Sequence, residues 1–203
     1  MRRIRKKLLI LFALFPGLVC LALVLGPRYL LYADPPAASD VVVLFVGPGF
    51  EDRLTEARRL VREGYARSLL IPAYHGSFRR NDDGHIVSVG GDFIEKFFPA
   101  VRVAMGTFPA CYEETHVETI EARRLMDSRG FRTALFVSSP YHMRRIRLIC
   151  KEVFDAERYT VRFVPAQPLN TIRKPSRFNV AGIRWQTSEY LKIGWFLAYS
   201  AVY

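Results

Sequence analysis

The stretch from Ala134 to Arg145 constrains the fold of this chain more than any other. It opens with a four-residue apolar run, Ala134–Val137, short and β-branched enough for a buried strand. Ser139 then favours a helix N-cap, and Pro140 suits the first helical position. Apolar residues follow at helical spacing, at Met143, Ile146 and Ile149/Cys150. We therefore predict a strand that passes directly into a helix.

The turn between that strand and helix is a candidate ligand site. Helix N-termini at the carboxyl ends of strands offer free N–H groups and the positive end of the helix dipole. His142 and Arg145 are three residues apart and so share one helix face, just after Ser138 and Ser139. A titratable imidazole beside a permanent cation favours an anionic ligand. The alternative is that Ser139 only caps the helix and His142 is a surface or hydrogen-bonded residue without a ligand.

An earlier stretch repeats the same arrangement of strand, turn and helix. Asp40 opens the continuous apolar run Val41–Val46, which is typical of a strand buried on both faces of a parallel sheet. Gly47 and Gly49 break the run, and a helix with Arg53 near its start continues to Gly64. Two glycines are a weak phosphate-binding signal, well short of a dinucleotide fingerprint, so no cofactor is assigned.

Further elements complete an alternating pattern. We predict strands at 68–71, 101–105 and 160–164, a short helix at 93–98, and longer helices at 113–129 and 183–199. The polar stretch 75–92 is predicted as a long loop. Strands that alternate with helices predict an α/β fold, a Rossmann-like three-layer sandwich with a mostly parallel sheet. The last helix is rich in aromatic residues, which suits either the core or a membrane interface, with the core as the default.

Two further groups of residues bear on chemistry. Acids in the first turn suit the helix dipole, which is enough to explain Glu113 and Glu114. Glu118 lies one turn into that helix, so it is a candidate acid/base or orienting partner for His142, with an acid on the helix surface as the alternative. His75 and His85, with nearby aspartates, match no metal-ligand spacing, and we predict no metal site. The spacing of Cys111 and Cys150 leaves a disulfide between them open.

The N-terminus has the features of a membrane anchor. Five cations precede Leu8 to Leu25, an uncharged and mostly apolar run long enough to cross a bilayer. A cleaved signal peptide is the main alternative, but its apolar part is usually shorter and Leu31 stands where a small residue is expected. We predict an uncleaved single span with a cytoplasmic N-terminus and the domain outside. The division is 1–33 for tip and anchor, 34–39 for a linker, and 40–203 for the domain.

The charge balance leaves several partners open. The chain has a formal net charge of +11, and beyond the five leading cations the other 25 face 19 acids. That excess would suit anionic lipid or a phosphorylated substrate. No basic-aromatic pattern typical of nucleic-acid binding stands out, so we predict no nucleic-acid partner.

Several motifs together resemble the YdcF-like envelope family, the SanA and ElyC type of bacteria. They are the strand and glycines of Asp40 to Gly49 followed by Arg53, the helix opening Thr115 to Glu118, the block Ser138 to Arg145, and Glu189 to Lys192. The block that contains His-Met-x-Arg is the most specific. Two departures are Thr115-His116, where the family has Asn-Thr, and Pro48 in the glycine turn.

The resemblance implies a Rossmann-like domain, a membrane anchor and a role in the envelope barrier or peptidoglycan metabolism. It suggests a phosphate-bearing envelope precursor as ligand, processed by an enzyme or bound by a non-catalytic sensor or scaffold. A soluble member of the family has been linked to S-adenosylmethionine, so a nucleotide-type ligand is the alternative for a domain facing the cytoplasm.

The two crossover units make a spatial prediction. In a parallel sheet Gly47 and Ser138 follow strands that end at the same edge. We therefore predict that Arg53, His142 and Arg145 line one pocket at the carboxyl ends of the strands. Such cations repel one another unless an acid or an anion compensates, so we place Glu118 within hydrogen-bonding reach of at least one of them.

Overall fold

The structure is a computed structural model that describes residues 26–74, 76–83, 85–90, 107–167 and 180–202. The strands are β1 (Val41–Leu44), β2 (Ser68–Ile71), β3 (Gly76–Arg80), β4 (Ile86–Gly90), β5 (Thr133–Ser138) and β6 (Thr160–Pro165). The helices are α1 (Phe50–Arg62), α2 (Glu114–Ser128), α3 (Met143–Val153) and α4 (Val180–Ser200). Short 3₁₀ turns at Pro72–Tyr74 and Pro140–His142 follow β2 and β5.

These strands form one six-stranded sheet in the order β4-β3-β2-β1-β5-β6. The four strands β2, β1, β5 and β6 are parallel, with Val43 opposite both Leu70 and Phe136. This confirms the predicted α/β fold with a mostly parallel sheet. Since β1 and β5 are neighbours and parallel, the segments that follow them leave the sheet on the same side, where the carboxyl ends of the strands lie.

Apolar side chains cover both faces of the sheet, as the continuous apolar runs predict. On one face the strand residues pack against α1 through Leu54, Ala57 and Leu60. On the other face the core includes Met126 of α2, Ile146 of α3 and Phe196 of α4. The helices therefore lie on both sides of the sheet, with α1 alone opposite the other three among the described residues.

The predicted loop at 75–92 is wrong. Its described residues form β3 and β4, an antiparallel hairpin that extends the sheet beyond β2. β4 is the outer strand of this hairpin, and β3 lies between β2 and β4. β3 carries a weak strand signal because it has one aromatic residue and no β-branched residue. The predicted helix at 93–98 and strand at 101–105 lie outside the described residues.

The predicted passage from β5 into a helix is confirmed, with a difference in the first turn. Pro140–His142 is a 3₁₀ turn, and α3 begins at Met143. Ser139 stands at the N-cap position, but its hydroxyl makes no capping hydrogen bond. That hydroxyl instead takes part in the site described below.

The chain that enters the domain lies against it. Asp34 is hydrogen-bonded in both directions to the main chain of Phe163 in β6, and Leu30 is fully buried. Within the predicted linker 34–39, Asp34 thus pairs with β6, and Ser39 donates its N–H to the carbonyl of Tyr65 at 2.8 Å. No helix within the described ranges is long and apolar enough to cross a membrane, and Leu8 to Leu25 lie outside those ranges.

Candidate functional site

The site lies where β1 and β5 end. Phe45, just after β1, donates its N–H to the carbonyl of Val137 at 3.0 Å, so the two chain segments stay paired up to the turn. Arg53 of α1 then reaches across and donates from Nε to Ser139 Oγ at 3.0 Å. His142 follows Ser139 by three residues, and its N–H bonds the Ser139 carbonyl at 3.0 Å. The structure thus brings Arg53 and His142 to the same sheet edge, as predicted.

Arg53 is buried, with 1% of its surface exposed. Its Nη1 donates to the carbonyls of Phe45 at 3.1 Å and Val46 at 2.6 Å, so the guanidinium closes the end of β1. Its Nη2 is buried and has no hydrogen-bond partner, and no carboxylate lies within ion-pair distance of it among the described residues. Burial lowers the pKa of Arg53 to about 10, so the group still carries its charge at neutral pH. A buried charged donor without a partner is energetically unfavourable, which points to a missing acceptor.

The two predicted glycines make room for that guanidinium. A Cβ on Gly47 would lie 3.1 Å from Nη1 and 3.3 Å from Nη2 of Arg53, and the residue has a φ of +135°. Gly49 has a φ of +77°, and its Cβ would face Ser139 Oγ at 3.6 Å. The backbone of the turn can therefore approach Arg53 closely only because Gly47 lacks a side chain.

Arg145 is fully engaged within the protein. Its Nε and Nη2 donate to the two carboxylate oxygens of Glu189 at 2.9 and 3.3 Å. Its Nη1 donates to Glu113 and to Thr115 Oγ1, both at 2.8 Å, and Nη2 also lies 3.0 Å from Nδ1 of His142. These contacts use all five N–H donors of a guanidinium. Arg145, predicted as a ligand-binding residue, therefore positions its neighbours in this arrangement.

His142 is held between Arg145 and Glu189. Burial lowers its pKa, and the hydrogen bond with Glu189 opposes that shift only in part. Nδ1 of the neutral ring lies 3.0 Å from Nη2 of Arg145 and 3.3 Å from Oε1 of Glu189, and it can serve only one of them. With the proton on Nδ1 the ring donates to Glu189, whereas with the proton on Nε2 it accepts from Arg145 and keeps the Nε2–H as a free donor. The imidazole edge also contacts the ring of Trp185, at 5.7 Å between centroids.

Glu189 is a site residue to which sequence reasoning assigned no role beyond its place in a family motif. It is buried on α4, and its Oε1 lies 3.3 Å from Nδ1 of His142 and 3.7 Å from Nζ of Lys192. Burial raises its pKa, but the His142 hydrogen bond and the Arg145 charge outweigh it and lower the pKa to about 2. A lone acid on an otherwise apolar helix was a usable signal, since a buried carboxylate needs a partner.

Glu118 does not pair with a guanidinium. Its Oε1 accepts the main-chain N–H of Val46 at 3.0 Å, and the positive charge of Arg53 acts on it only through space. The prediction that it hydrogen-bonds Arg53, His142 or Arg145 is therefore wrong for the described residues. Burial raises the pKa of Glu118 to about 8, so a neutral carboxylic acid lies beside the end of β1 at neutral pH.

Two other residues of the predicted motifs have different surroundings. Ser138 is buried, and its hydroxyl oxygen has no hydrogen-bond partner. His116, which departs from the family pattern, is buried against Tyr112 and bonds Tyr199 Oη at 3.0 Å. Burial lowers its pKa to about 4, so it is a neutral core histidine.

The groups gathered where β1 and β5 end are a charged donor, a hydroxyl and two titratable side chains. Arg53 supplies the charged donor, Ser138 the hydroxyl and His142 a neutral imidazole, while Glu118 holds a proton at neutral pH. In the described ranges no group of three or more His, Cys, Asp or Glu is arranged to hold a metal ion. Cys111 and Cys150 are not joined to each other.

A separate cavity lies on the other side of the sheet from the site, at the amino ends of the strands. A cavity of about 970 Å³ lies at the amino ends of β1 and β2, with Asp40, Arg67, Arg79 and Arg80 among its lining residues. Asp40 accepts the main-chain N–H groups of Arg132 and Thr133, both at 2.8 Å. Burial raises the pKa of Asp40, but these hydrogen bonds outweigh it and the pKa is lowered. Asp40 therefore ties β1 to β5, and its part in the family motif has a structural explanation.

Comparison of the chain with known protein families, with curated proteins and with solved structures gives no match.

Proposed function

We propose that this chain is a membrane-anchored envelope protein whose Rossmann-like domain binds or processes a phosphate-bearing ligand, in the barrier or in peptidoglycan-precursor metabolism. The single span is Leu8 to Leu25, the N-terminus is cytoplasmic, and the domain lies on the outer side of the inner membrane. The family resemblance supports the envelope role, and the five leading cations support the orientation.

The observation that carries the proposal is the unpartnered Nη2 of Arg53. Phosphate oxygens accept hydrogen bonds from charged donors readily, and such bonds are about twice as strong as neutral ones. The hydroxyl of Ser138, at the end of the neighbouring strand, is a second buried polar group without a hydrogen-bond partner among the described residues. An anion that accepts from Arg53 Nη2 would satisfy the charged one of these two groups.

Phosphate titration with a matched pair of variants tests this binding. Purified full-length chain in detergent micelles is titrated with inorganic pyrophosphate and with a polyprenyl phosphate. Arg53→Gln should weaken binding about 10- to 100-fold, the range expected from the loss of one hydrogen bond to a charged group. Arg59→Gln, on the exposed side of the same helix, should leave the affinity unchanged.

The variant Arg53→Lys controls for the possibility that Arg53→Gln loses affinity because it is misfolded. It keeps the charge but cannot hold Phe45, Val46 and Ser139 together, so its melting temperature and its affinity are measured side by side. Wild-type chain that binds neither probe would end the proposal. Equal affinities for wild type and a folded Arg53→Gln would end it as well.

A substitution of Glu118 distinguishes an enzyme from a protein that only binds its ligand. In the catalytic version its proton and the imidazole of His142 serve as acid/base groups near the ligand. Glu118→Gln keeps an oxygen for the Val46 N–H but cannot transfer a proton. Loss of turnover or of the cellular phenotype with unchanged affinity supports an enzyme, whereas an unchanged phenotype supports a sensor or scaffold.

Topology decides between the proposed ligand and the nucleotide or S-adenosylmethionine type. A phosphatase that is active only outside the cytoplasm is fused after Tyr203, and carbonate extraction tests for the anchor. Activity in intact cells, with the chain retained in the membrane, is the expected result. An inactive fusion would indicate that the domain lies in the cytoplasm, and it would favour the nucleotide-type ligand.

A further inference from the structure

The outward face of α4 is apolar. From Thr187 to Val202 the sequence holds only two charged residues, Glu189 and Lys192. The exposed large apolar side chains of this part of the chain are Tyr190, Leu191, Trp195, Leu197 and Val202. Leu191 is 70% exposed and Val202 is 79% exposed, among the largest fractions for apolar residues in the described chain.

Helical geometry separates this face from the core. Ile193, Phe196 and Tyr199 are buried and face the sheet and the other helices. Tyr190, Leu191 and Trp195 lie about 100° or more around the helix axis from the middle of that buried stripe. Within the described residues this second, apolar stripe is covered only in part: Tyr190 contacts Gly26 and Tyr29, while Leu191 and Trp195 remain 70% and 54% exposed.

Two aromatic residues on this face are oriented as at a membrane surface. The indole Nε1 of Trp195 donates to the carbonyl of Cys111 at 2.9 Å, while its ring remains 54% exposed. Tyr190 Oη donates to the carbonyl of Gly26 at 2.5 Å, and its ring stacks on that of Tyr29 at 6.2 Å. Side chains with a satisfied polar end and an exposed apolar ring are typical of the bilayer interface.

The position of Gly26 identifies what covers the face. The apolar run Leu8 to Leu25 ends at the residue before it, and Tyr190 holds Gly26 against α4. A span that leaves the bilayer at residue 25 therefore delivers α4 to the membrane surface. The exposed Arg184, two turns before Leu191 on the same side of the helix, suits the phosphate groups of anionic lipids at that depth.

We propose that the outward face of α4 lies in the interfacial layer of the bilayer that holds the anchor. This inference rests on the membrane anchoring in the proposed function. Its consequence concerns the site, because Glu189 on the inner side of the same helix binds Arg145 and His142. The candidate site is then one helix diameter, about 10 Å, from the membrane. A ligand whose phosphate is attached to a lipid could reach it without leaving the bilayer.

The two tryptophans of the chain, Trp185 and Trp195, make a direct test possible. Full-length protein is reconstituted in vesicles of zwitterionic and anionic phospholipid, with or without bromine on the acyl chains. Trp185→Phe leaves Trp195 as the reporter, and Trp195→Phe leaves Trp185, whose ring contacts His142. Brominated lipid should quench most of the emission from Trp195 and little from Trp185, while aqueous iodide should leave Trp195 bright.

The outcomes distinguish a failure of this inference from a failure of the predicted membrane anchor. If the chain fails to float with the vesicles, the anchor and the proposed function fail together. If it floats but iodide quenches Trp195 and brominated lipid does not, only the docking of α4 is refuted. If neither quenches Trp195, protein covers the face, either a second copy or residues 8–25, and the inference is again refuted. Leu191→Asp with Leu197→Asp should remove the lipid quenching without loss of flotation.

Discussion

Replacement of Glu118 by Gln should make the domain more stable at neutral and alkaline pH. Burial raises the pKa of this carboxyl from its ordinary 4.5 to about 8. A group whose pKa is raised in the folded state contributes stability below its unfolded pKa and loses it as the pH rises toward the folded pKa. The loss for Glu118 therefore falls between pH 4.5 and about pH 8.

The magnitude follows from the size of that gap. At about pH 7 the unfolded carboxyl is ionised while the folded one still holds its proton, a difference of about 2.5 pH units, or roughly 3 kcal/mol. The glutamine of the variant has no proton to hold, and its amide oxygen can still accept the Val46 N–H. The difference between variant and wild type should grow from near zero at about pH 4.5 to a plateau above about pH 8.

Urea unfolding of the full-length chain in micelles, followed by circular dichroism from about pH 4.5 to about pH 9, measures this difference. Glu51→Gln, at the exposed start of α1, controls for the removal of one acid and should change stability by less than about 1 kcal/mol at every pH. Parallel curves for wild type and Glu118→Gln would show that Glu118 ionises in the folded state as it does in the unfolded one. The acid/base role proposed for it would then lose its basis.

Two further substitutions test the architecture of the site. Gly47→Ala should unfold at a lower temperature than Gly64→Ala: both positions have positive φ, so each loses about 1–2 kcal/mol, but only Gly47 would also press on Arg53. Equal melting temperatures would mean that the Arg53 guanidinium moves aside freely. Arg145→Met should destabilise by about 3–5 kcal/mol because it removes the cation that pairs with the buried Glu189 and with Glu113. Arg58→Met, at an exposed position of α1, should change the stability by no more than about 1 kcal/mol. Similar denaturant midpoints for these two variants would refute the view that the Arg145 cluster is desolvated.

The parallel core could be predicted because its strands carry their own signal. Val41–Leu44 and Ala134–Val137 are continuous apolar runs, and that pattern requires burial on both faces. The hairpin of β3 and β4 could not be recognised in the same way. β3 pairs through its main chain with β2 and with β4, and main-chain pairing leaves little trace in a polar sequence such as that of β3.

The same contrast holds for the site. The shared edge of Arg53 and His142 follows from parallel strands, so sequence reasoning reached it. The partners of Arg145 do not follow from topology, because Glu189 comes from a helix 44 residues further along the chain. The sequence also predicts Glu118 near the carboxyl ends of the strands, and Glu118 does lie beside the end of β1. Its hydrogen bond to the main-chain N–H of Val46 could not be predicted, because such local geometry has no sequence pattern.

The bonds of Arg145 also set where this chain can be shortened. Its guanidinium joins the start of α2, through Glu113, to α4, through Glu189, and Tyr199 near the end of α4 bonds His116 of α2. A protein cut before α4 would keep a buried arginine with two of its five hydrogen-bond contacts removed and expose the apolar surface under Phe196. The smallest unit that can be expressed and crystallised therefore extends at least to Ser200, and any C-terminal tag belongs after it.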